Sequence, residues 1–251
     1  MSGHSKWSTI KRKKSVVDAK RGALFTKIIR EITVAARTGG EDINSNPRLR
    51  IAVMKAKENN MPSDNIERAI KKGAGTLDGV TYEEVRYEGY GAGGVAVMLD
   101  CLTDNRNRTT PEIRTIFSKN GGNLGESGSV SYLFDKKGMI IIESGQTTED
   151  EIMEMLLDFD IEDIRTEDGN IVVTTPPETY STAYDAIASK GYKMIHNEIT
   201  YIPKTTVTLD EQKATQCLRL IGLLEDHDDV QNVYSNYDIP DEIMNKLSEA
   251  Q

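Results

Sequence analysis

The sequence predicts an α+β protein in which a three-helix N-terminal domain is followed by two α/β domains, one inserted in the other. Three observations predict it. Up to Gly75 the apolar residues recur at helical spacing, whereas beyond Gly79 the pattern changes to short strand-length runs broken by helical stretches. The charge divides at the same place: residues 1–75 hold 17 basic and 7 acidic residues, net +10, and the remainder holds 14 basic and 33 acidic residues, net −19. The chain has 251 residues, 37% hydrophobic and 28% charged, which suits several small domains better than one large core.

Residues 18–37 read as the first helix. Asp18 caps it, Phe25, Ile28, Ile29, Ile32 and Ala36 form its stripe, and Thr38-Gly39-Gly40 ends it. Lys20, Arg21, Lys27 and Arg30 lie mostly off the stripe and are expected to stay wet. Asn46 with Pro47 opens the second helix, which buries Leu49, Ala52, Val53 and Ala56 and stops at Asn59-Asn60. Pro62-Ser63-Asp64 starts the third, with Asp64 and Glu67 spaced as a capping box, Ile66, Ala69 and Ile70 as its face, and Gly73 as its C-cap. Ala74 to Gly79 is a linker.

Strands follow at 82–90 and 95–102, a helix at 110–120 and a strand at 129–134. Residues 139–143, 148–157, 161–166, 170–175, 176–190 and 193–202 then read strand, helix, strand, strand, helix, strand, which is the ferredoxin-like order. A strand at 205–209, a helix at 210–225 and a strand at 230–236 complete a second such order with the elements at 95–134. The predicted domains are 1–78, helical and basic; 79–136 plus 204–239, discontinuous; 137–203, an inserted ferredoxin-like domain; and 240–251, a C-terminal helix or tail.

Cys101 and Cys217 are far apart and outside any CxxC, so neither a disulfide framework nor a structural zinc site is expected, and a reducing compartment fits. His4, His196 and His227 are scattered, and no metal site or cofactor is expected. No apolar run approaches a membrane span, and the basic N-terminus lacks the apolar core of a secretory signal. The expected location is cytoplasmic, with no membrane partner and no small-molecule substrate.

The strongest functional signal is the N-terminus. Residues 1–37 contain ten Lys and Arg against Asp18 and Glu31, net +8 in a chain of formal charge −9. Trp7, the single tryptophan, lies among them. A phosphate backbone and an unstacked base would use that combination, although a solvated basic tail has the same composition.

Other motifs weigh less. Gly89, Gly91 and Gly94 satisfy G-x-G-x-x-G, but a strand follows where a dinucleotide site needs a helix N-terminus, so a turn with positive φ is expected. Residues 104–109, Asp-Asn-Arg-Asn-Arg-Thr, can hold phosphate through Arg106 and Arg108 or can cap the next helix. The glycine-rich stretch 121–129 is neither a nucleophile elbow nor a P-loop. It reads as a mobile loop of structural turns or as a backbone contact to phosphates through the region of Asn123. Acidic groups such as Asp226, Asp228 and Asp229 read as helix ends and solvated faces. No catalytic set can be assembled.

Several runs carry a family likeness. They are Gly3-His4-Ser5-Lys6-Trp7, Asp18-Ala19-Lys20-Arg21-Gly22, residues 25–31, Asn46-Pro47-Arg48-Leu49-Arg50, Asn60-Met61-Pro62, Tyr87-Glu88-Gly89-Tyr90-Gly91, residues 104–109, and Gly121-Gly122-Asn123-Leu124-Gly125. With these the chain resembles the YebC family, related to the mitochondrial translational activator of cytochrome c oxidase, over essentially its whole length. The resemblance implies three domains with the third inserted in the second, and no catalytic residue. It implies a regulator of gene expression, described either as a DNA-binding transcriptional regulator or as a factor that binds ribosomal RNA and relieves stalling.

The combined expectation is a non-enzymatic nucleic-acid-binding protein. Its partner is ribosomal RNA on the ribosome or, alternatively, duplex DNA, and the acidic domains offer faces to a protein partner. A lower-ranked alternative is a protein-interaction adaptor. The residues expected to contact nucleic acid are Lys6, Trp7, Lys11, Arg12, Lys13, Lys14, Lys20, Arg21 and Lys27, with secondary contacts at Arg106, Arg108 and Asn123.

Overall fold

A computed structural model describes residues 21–249, with side chains from residue 22 to 247. In chain order the elements are α1 (Arg21–Gly39), α2 (Pro47–Glu58), α3 (Ser63–Gly73), β1 (Glu83–Tyr90), β2 (Ala96–Thr103), α4 (Arg106–Lys119), β3 (Asn123–Leu124), β4 (Phe134–Ile142), α5 (Glu149–Met155), β5 (Asp163–Glu167) and β6 (Asn170–Thr175). They continue with α6 (Tyr180–Ser189), β7 (Met194–Pro203), β8 (Val207–Thr208), α7 (Glu211–Asp226), β9 (Val230–Ser235), β10 (Tyr237–Asp238) and α8 (Asp241–Glu249). The protein is α+β with antiparallel main sheets, a helical N-terminal domain and α/β domains after it. The described chain forms two compact units, residues 132–206 and the rest.

In the larger unit α1 is the hub of the helical domain. Ile28, Ile32, Ala35 and Ala36 pack with Leu49, Ala52, Val53 and Ala56 of α2 and with Ile66 and Ala69 of α3. Asn46 joins two helices. Its Oδ1 accepts from Leu49 N at 3.1 Å to cap α2, and its Nδ2 donates to Ala35 O and Gly40 O, each at 2.8 Å, to close α1.

The start of α3 differs from the sequence reading. Pro62 occupies the cap position and its carbonyl accepts from Asn65 N, so Asp64 falls inside the first turn and no Asp64–Glu67 capping box forms. Asp64 there favours the positive end of the helix. Gly73 also has a different role: a Cβ on it would lie 2.3 Å from Thr33 O, so glycine permits the close approach of α3 to α1. The left-handed residue is Gly75, at φ 77°.

Residues 83–131 and 207–249 build a four-stranded sheet in the order β3-β1-β2-β9. Ile113 and Phe117 of α4 and Cys217, Leu220, Ile221 and Leu224 of α7 pack with Val97, Leu99 and Cys101 of β2. Gly93 and Gly94, at φ 74° and 80°, turn β1 into β2; of the three glycines of the G-x-G-x-x-G spacing only Gly94 takes a positive φ, while Gly91 is at φ −98° and Gly89 lies within β1.

Two strands read from the sequence are different here. Residues 129–134 do not form one, because the buried Glu88 carboxylate accepts from Gly128 N, Val130 N and Ser131 N at 2.9, 2.7 and 2.8 Å and takes up N–H groups that a ladder would use. Residues 131–133 make a 3₁₀ turn instead, and β4 opens at Phe134. The strand expected at 205–209 shrinks to Val207–Thr208, parallel to β10 in a separate two-stranded sheet. The main sheet takes β1 in their place, so this domain runs β-β-α-β, then α-β after the insertion.

In the unit 132–206 the elements run β4-α5-β5-β6-α6-β7 around a sheet of order β5-β6-β4-β7. The strand, helix, strand, strand, helix, strand order read from the sequence is present. Its entering and leaving strands pair directly, with Phe134 opposite Pro203 and Lys204 N donating to Leu133 O at 2.8 Å. Thr148 and Glu151 form a reciprocal capping box at α5.

Candidate nucleic-acid interface

Most of the residues singled out at the N-terminus (Lys6, Trp7, Lys11, Arg12, Lys13, Lys14 and Lys20) lie outside the described residues. Arg21 is the first residue of α1, and its side chain is also outside them. The remaining candidates divide into groups committed to the protein's own structure and groups left facing solvent.

Lys27 and Arg30 do not stay wet. In the second and third turns of α1, they fasten the helical domain to the α/β domain that follows it. Lys27 Nζ donates to Glu225 O at 2.6 Å, at the carbonyl end of α7, where a cation suits the helix dipole. Arg30 Nη1 donates to Asp228 O at 2.7 Å and Asp229 Oδ1 at 2.8 Å, and its guanidinium lies 5.4 Å from the centre of the Tyr82 ring.

Asp229 is the residue that the sequence misplaced most. It is 1% exposed rather than a solvated helix end. Its Oδ2 accepts from Thr109 Oγ1 at 2.6 Å, Arg108 Nη2 at 2.8 Å and Thr103 Oγ1 at 3.2 Å, while Oδ1 takes Arg30. Burial pushes this carboxyl up, and the hydrogen bonds from Thr109, Arg108 and Arg30 outweigh it and hold the carboxyl down at about 2. One carboxylate thus ties α1, the end of β2 and the start of α4. Only its place between a helix and a strand, Asp-Asp-Val after His227, could have hinted at this.

A second clasp lies beside it. Arg48 donates through Nε to Glu31 Oε1 at 2.7 Å and through Nη1 to Glu84 Oε1 at 2.9 Å. Burial works against its charge, and the two carboxylates outweigh burial and raise the guanidinium above its ordinary value. Arg37 adds a hydrogen bond to Tyr82 O.

The 104–109 segment resolves into a helix start. Asn105 caps α4, its Oδ1 accepting from Arg108 N at 3.1 Å. Arg108 bridges Asp104 Oδ1 at 2.9 Å and Asp229, and these carboxylates raise its guanidinium further. The exposed side chain of Arg106 has no hydrogen bond or ion pair among the described contacts. Asn123, at the edge strand β3, is exposed too. The glycine-rich loop is held rather than loose at its far end, through Glu88 and through Tyr90 Oη donating to Ser129 O at 2.8 Å. Burial raises the Glu88 carboxyl, and the N–H groups of Val130, Gly128 and Ser131 outweigh it and lower it.

Exposed cations the sequence reading did not single out lie on α2 and α3. Lys55 and Lys57 end α2, and Arg68, Lys71 and Lys72 lie on α3 away from Ile66, Ala69 and Gly73. Their side chains have no ion-pair partner among the described residues.

The chain's residues 5–76 match the TACO1/YebC protein N-terminal domain, and residues 82–237 match the TACO1/YebC second and third domain. The chain belongs to the TACO1/YebC family. Among its TACO1/YebC relatives, a probable transcriptional regulatory protein of Syntrophus aciditrophicus is 57% identical over 249 residues, covering 99% of this chain and 100% of the relative. Another so named, from Geobacter sulfurreducens, is 54% identical over 98% of this chain and 100% of its own length. The crystal structure of a conserved hypothetical protein from Aquifex aeolicus superposes with a TM-score of 0.80 at 48% identity, over 91% of this chain and 94% of that one. No group of three or more His, Cys, Asp and Glu able to hold a metal occurs among the described residues, and no described helix is long and apolar enough to cross a membrane.

Proposed function

We propose that this TACO1/YebC protein is a non-enzymatic regulator of gene expression that binds nucleic acid through its basic N-terminal segment and helical domain, acting on the ribosome as a translation factor that relieves stalling. The observation that carries the reading is where the charge lies. Residues 132–206 contain 6 basic and 15 acidic residues, a net of −9, which is the formal charge of the entire chain. The remainder is balanced, with its excess of cations gathered before Gly75. A polyanion meets a basic end and is repelled by the acidic unit, so the field orients the encounter.

Lys6, Lys11, Arg12, Lys13, Lys14, Lys20 and Arg21 supply phosphate contacts, with Trp7 stacking. Arg106 and Asn123 are secondary contacts. Arg108 contributes only from the side it turns away from Asp104 and Asp229. Lys27 serves the joint with α7. Burial pushes the Cys101 thiol up to about 12, which suits a core thiol rather than a nucleophile.

A second reading, a DNA-binding transcriptional regulator, draws on the names of the relatives and on one feature of the fold. Helices α2 and α3 are joined by four residues, 59–62, with Asn60 at φ 56°, a connection of helix-turn-helix length. Competition at near-physiological salt between ribosomes and duplex DNA of equal phosphate concentration separates the two. Preference for ribosomes beyond charge density supports the translation reading. Preference for particular duplex sequences replaces it with the second. Binding no better than to a generic polyanion removes both.

A further inference from the structure

Helices α4 and α7 lie side by side on one face of the host sheet, and two contacts fix how they run. At one end Glu112 Oε2 meets His227 Nε2 at 3.1 Å. At the other, Gln216 Oε1 lies 3.7 Å from where a Cβ on Gly121 would stand. The helices are therefore antiparallel, and Lys119 comes level with Arg219. Ile113 and Phe117 of α4 and Leu220, Ile221 and Leu224 of α7 turn into the core. Arg114, Lys119 and Arg219 are exposed, with Thr115, Ser118 and Gln216 among them.

This seam is unlike the domain that carries it. Residues 79–131 and 207–251 hold 17 acidic and 8 basic residues. Residues 113–125 and 212–224, the facing lengths of the two helices and the loop after α4, hold four of the eight, Arg114, Lys119, Lys213 and Arg219, and none of the 17. Carboxylates stand only at its borders. Glu112 is taken by His227, Asp210 by Lys213 at 3.0 Å and Glu211 by Lys246 at 3.7 Å, and Glu126, Glu225 and Asp226 lie just outside. Arg114, Lys119 and Arg219 have no hydrogen bond or ion pair among the described contacts. Unpaired cations held level on neighbouring helices repel one another, a cost that an anion bound between them would remove.

We propose that the seam of α4 and α7 is a second nucleic-acid contact, which takes the phosphate backbone of RNA on the α/β domain. Arg114, Lys119 and Arg219 neutralise phosphates, and the hydroxyls of Thr115 and Ser118 and the amide of Gln216 donate to phosphate and sugar oxygens. The seam has no exposed aromatic side chain on which a base could stack, so it grips the backbone and does not read sequence. A protein partner would need an apolar centre to its interface, and Leu223, 41% exposed, is alone in offering one. The inference rests on the function proposed above and extends it: RNA is held by the α/β domain as well as by the basic end of the chain.

The test replaces Arg114, Lys119 and Arg219 together by Gln in the full-length protein and titrates it with ribosomes and with protein-free ribosomal RNA over a range of salt. The melting temperature should hold, because the three side chains are exposed and without described contacts; if it falls, Arg219→Gln alone is read in the same way. The triple variant is expected to bind both probes about tenfold more weakly and to flatten the log–log salt slope by roughly 0.7 for each lost phosphate, about 2 in all. A control with the same change of net charge in the inserted unit, Lys136→Gln, Lys190→Gln and Lys204→Gln, should leave affinity and slope as in the wild type. An unchanged slope in the seam variant, or an equal effect of the control, overturns the seam while the proposed function stands. Weaker binding to ribosomes with no change on protein-free RNA also overturns it and assigns the seam to a ribosomal protein. A wild type that binds neither probe overturns the proposed function, and the seam with it.

Discussion

Arg30 and Asp229 stand 199 positions apart and meet in an ion pair of 2.8 Å, with their side chains 14% and 2% exposed. The contact joins the first described helix to the last part of the host α/β domain. Together with Lys27 on Glu225 O and Arg48 on Glu84, it fastens the helical domain to the α/β domain that follows it.

Removing the acid from this pair should be costly. Asp229→Ala leaves Arg30 buried without its countercharge and removes the acceptor shared by Thr103, Thr109 and Arg108, and a loss of about 3–5 kcal/mol is expected in urea unfolding. Arg108→Ala should change stability far less, because its guanidinium remains largely in water.

The same carboxylate predicts a pH dependence. Its folded value is depressed to about 2, below the usual carboxylate range, so its contribution is complete above about pH 4 and is lost as pH falls towards 2. Asp229→Asn, measured by denaturation between pH 2 and 6, should flatten the loss of stability in that window. An unchanged slope would show that the acid limb belongs to other carboxylates, of which Glu88 is also held low.

Gly73→Ala should destabilise by about 1–3 kcal/mol, since the new methyl group meets the carbonyl oxygen of Thr33 and not a movable side chain. Gly75→Ala tests the other kind of glycine: it has open space around it but a φ of 77°. Thermal unfolding of the two variants separates a packing penalty from a backbone one.

Asn46→Asp is a sharper probe than alanine. The cap on Leu49 N survives, but a carboxylate replaces the amide that donates to Ala35 O and Gly40 O. A loss of about 1–3 kcal/mol is expected at neutral pH, partly recovered when the aspartate is protonated.

Lys27→Ala and the triple replacement of Lys11, Lys13 and Lys14 by Ala should part company. The triple variant is expected to lower the log–log salt slope of nucleic-acid binding by roughly 0.7–0.9 per lost contact. Lys27→Ala should lower the melting temperature and leave that slope alone, because its ammonium sits on Glu225 O.

Much of this was legible from the chain alone, where the cause is local. Asn46-Pro47, the short apolar runs at 139–142 and 171–173, and the glycine-rich turn between β1 and β2 are each decided by neighbours in sequence. What escaped was decided by distant partners. Residues 129–134 read as strand until Glu88, some forty positions away, claims the N–H groups of Gly128, Val130 and Ser131. Asp229 reads as solvated because nothing near it announces Arg30, Thr103 or Thr109. Gly73 sits where a helix cap belongs, and only the approach of Thr33 reveals its reason. Of the interface, the charge asymmetry was plain, but which cations are committed to holding the fold was not.

The direct pairing of Phe134 with Pro203 has a consequence for chain entropy. The whole unit 132–206 leaves and re-enters its host at nearly one point, so to the host it costs about what a short loop costs to close. Swapping it for a few turn residues need not disturb β3, α7 or the core between them. It would also discard every unit of the protein's net negative charge, leaving a chain of zero formal charge with its cations still crowded at one end. The insertion is therefore a detachable electrostatic weight.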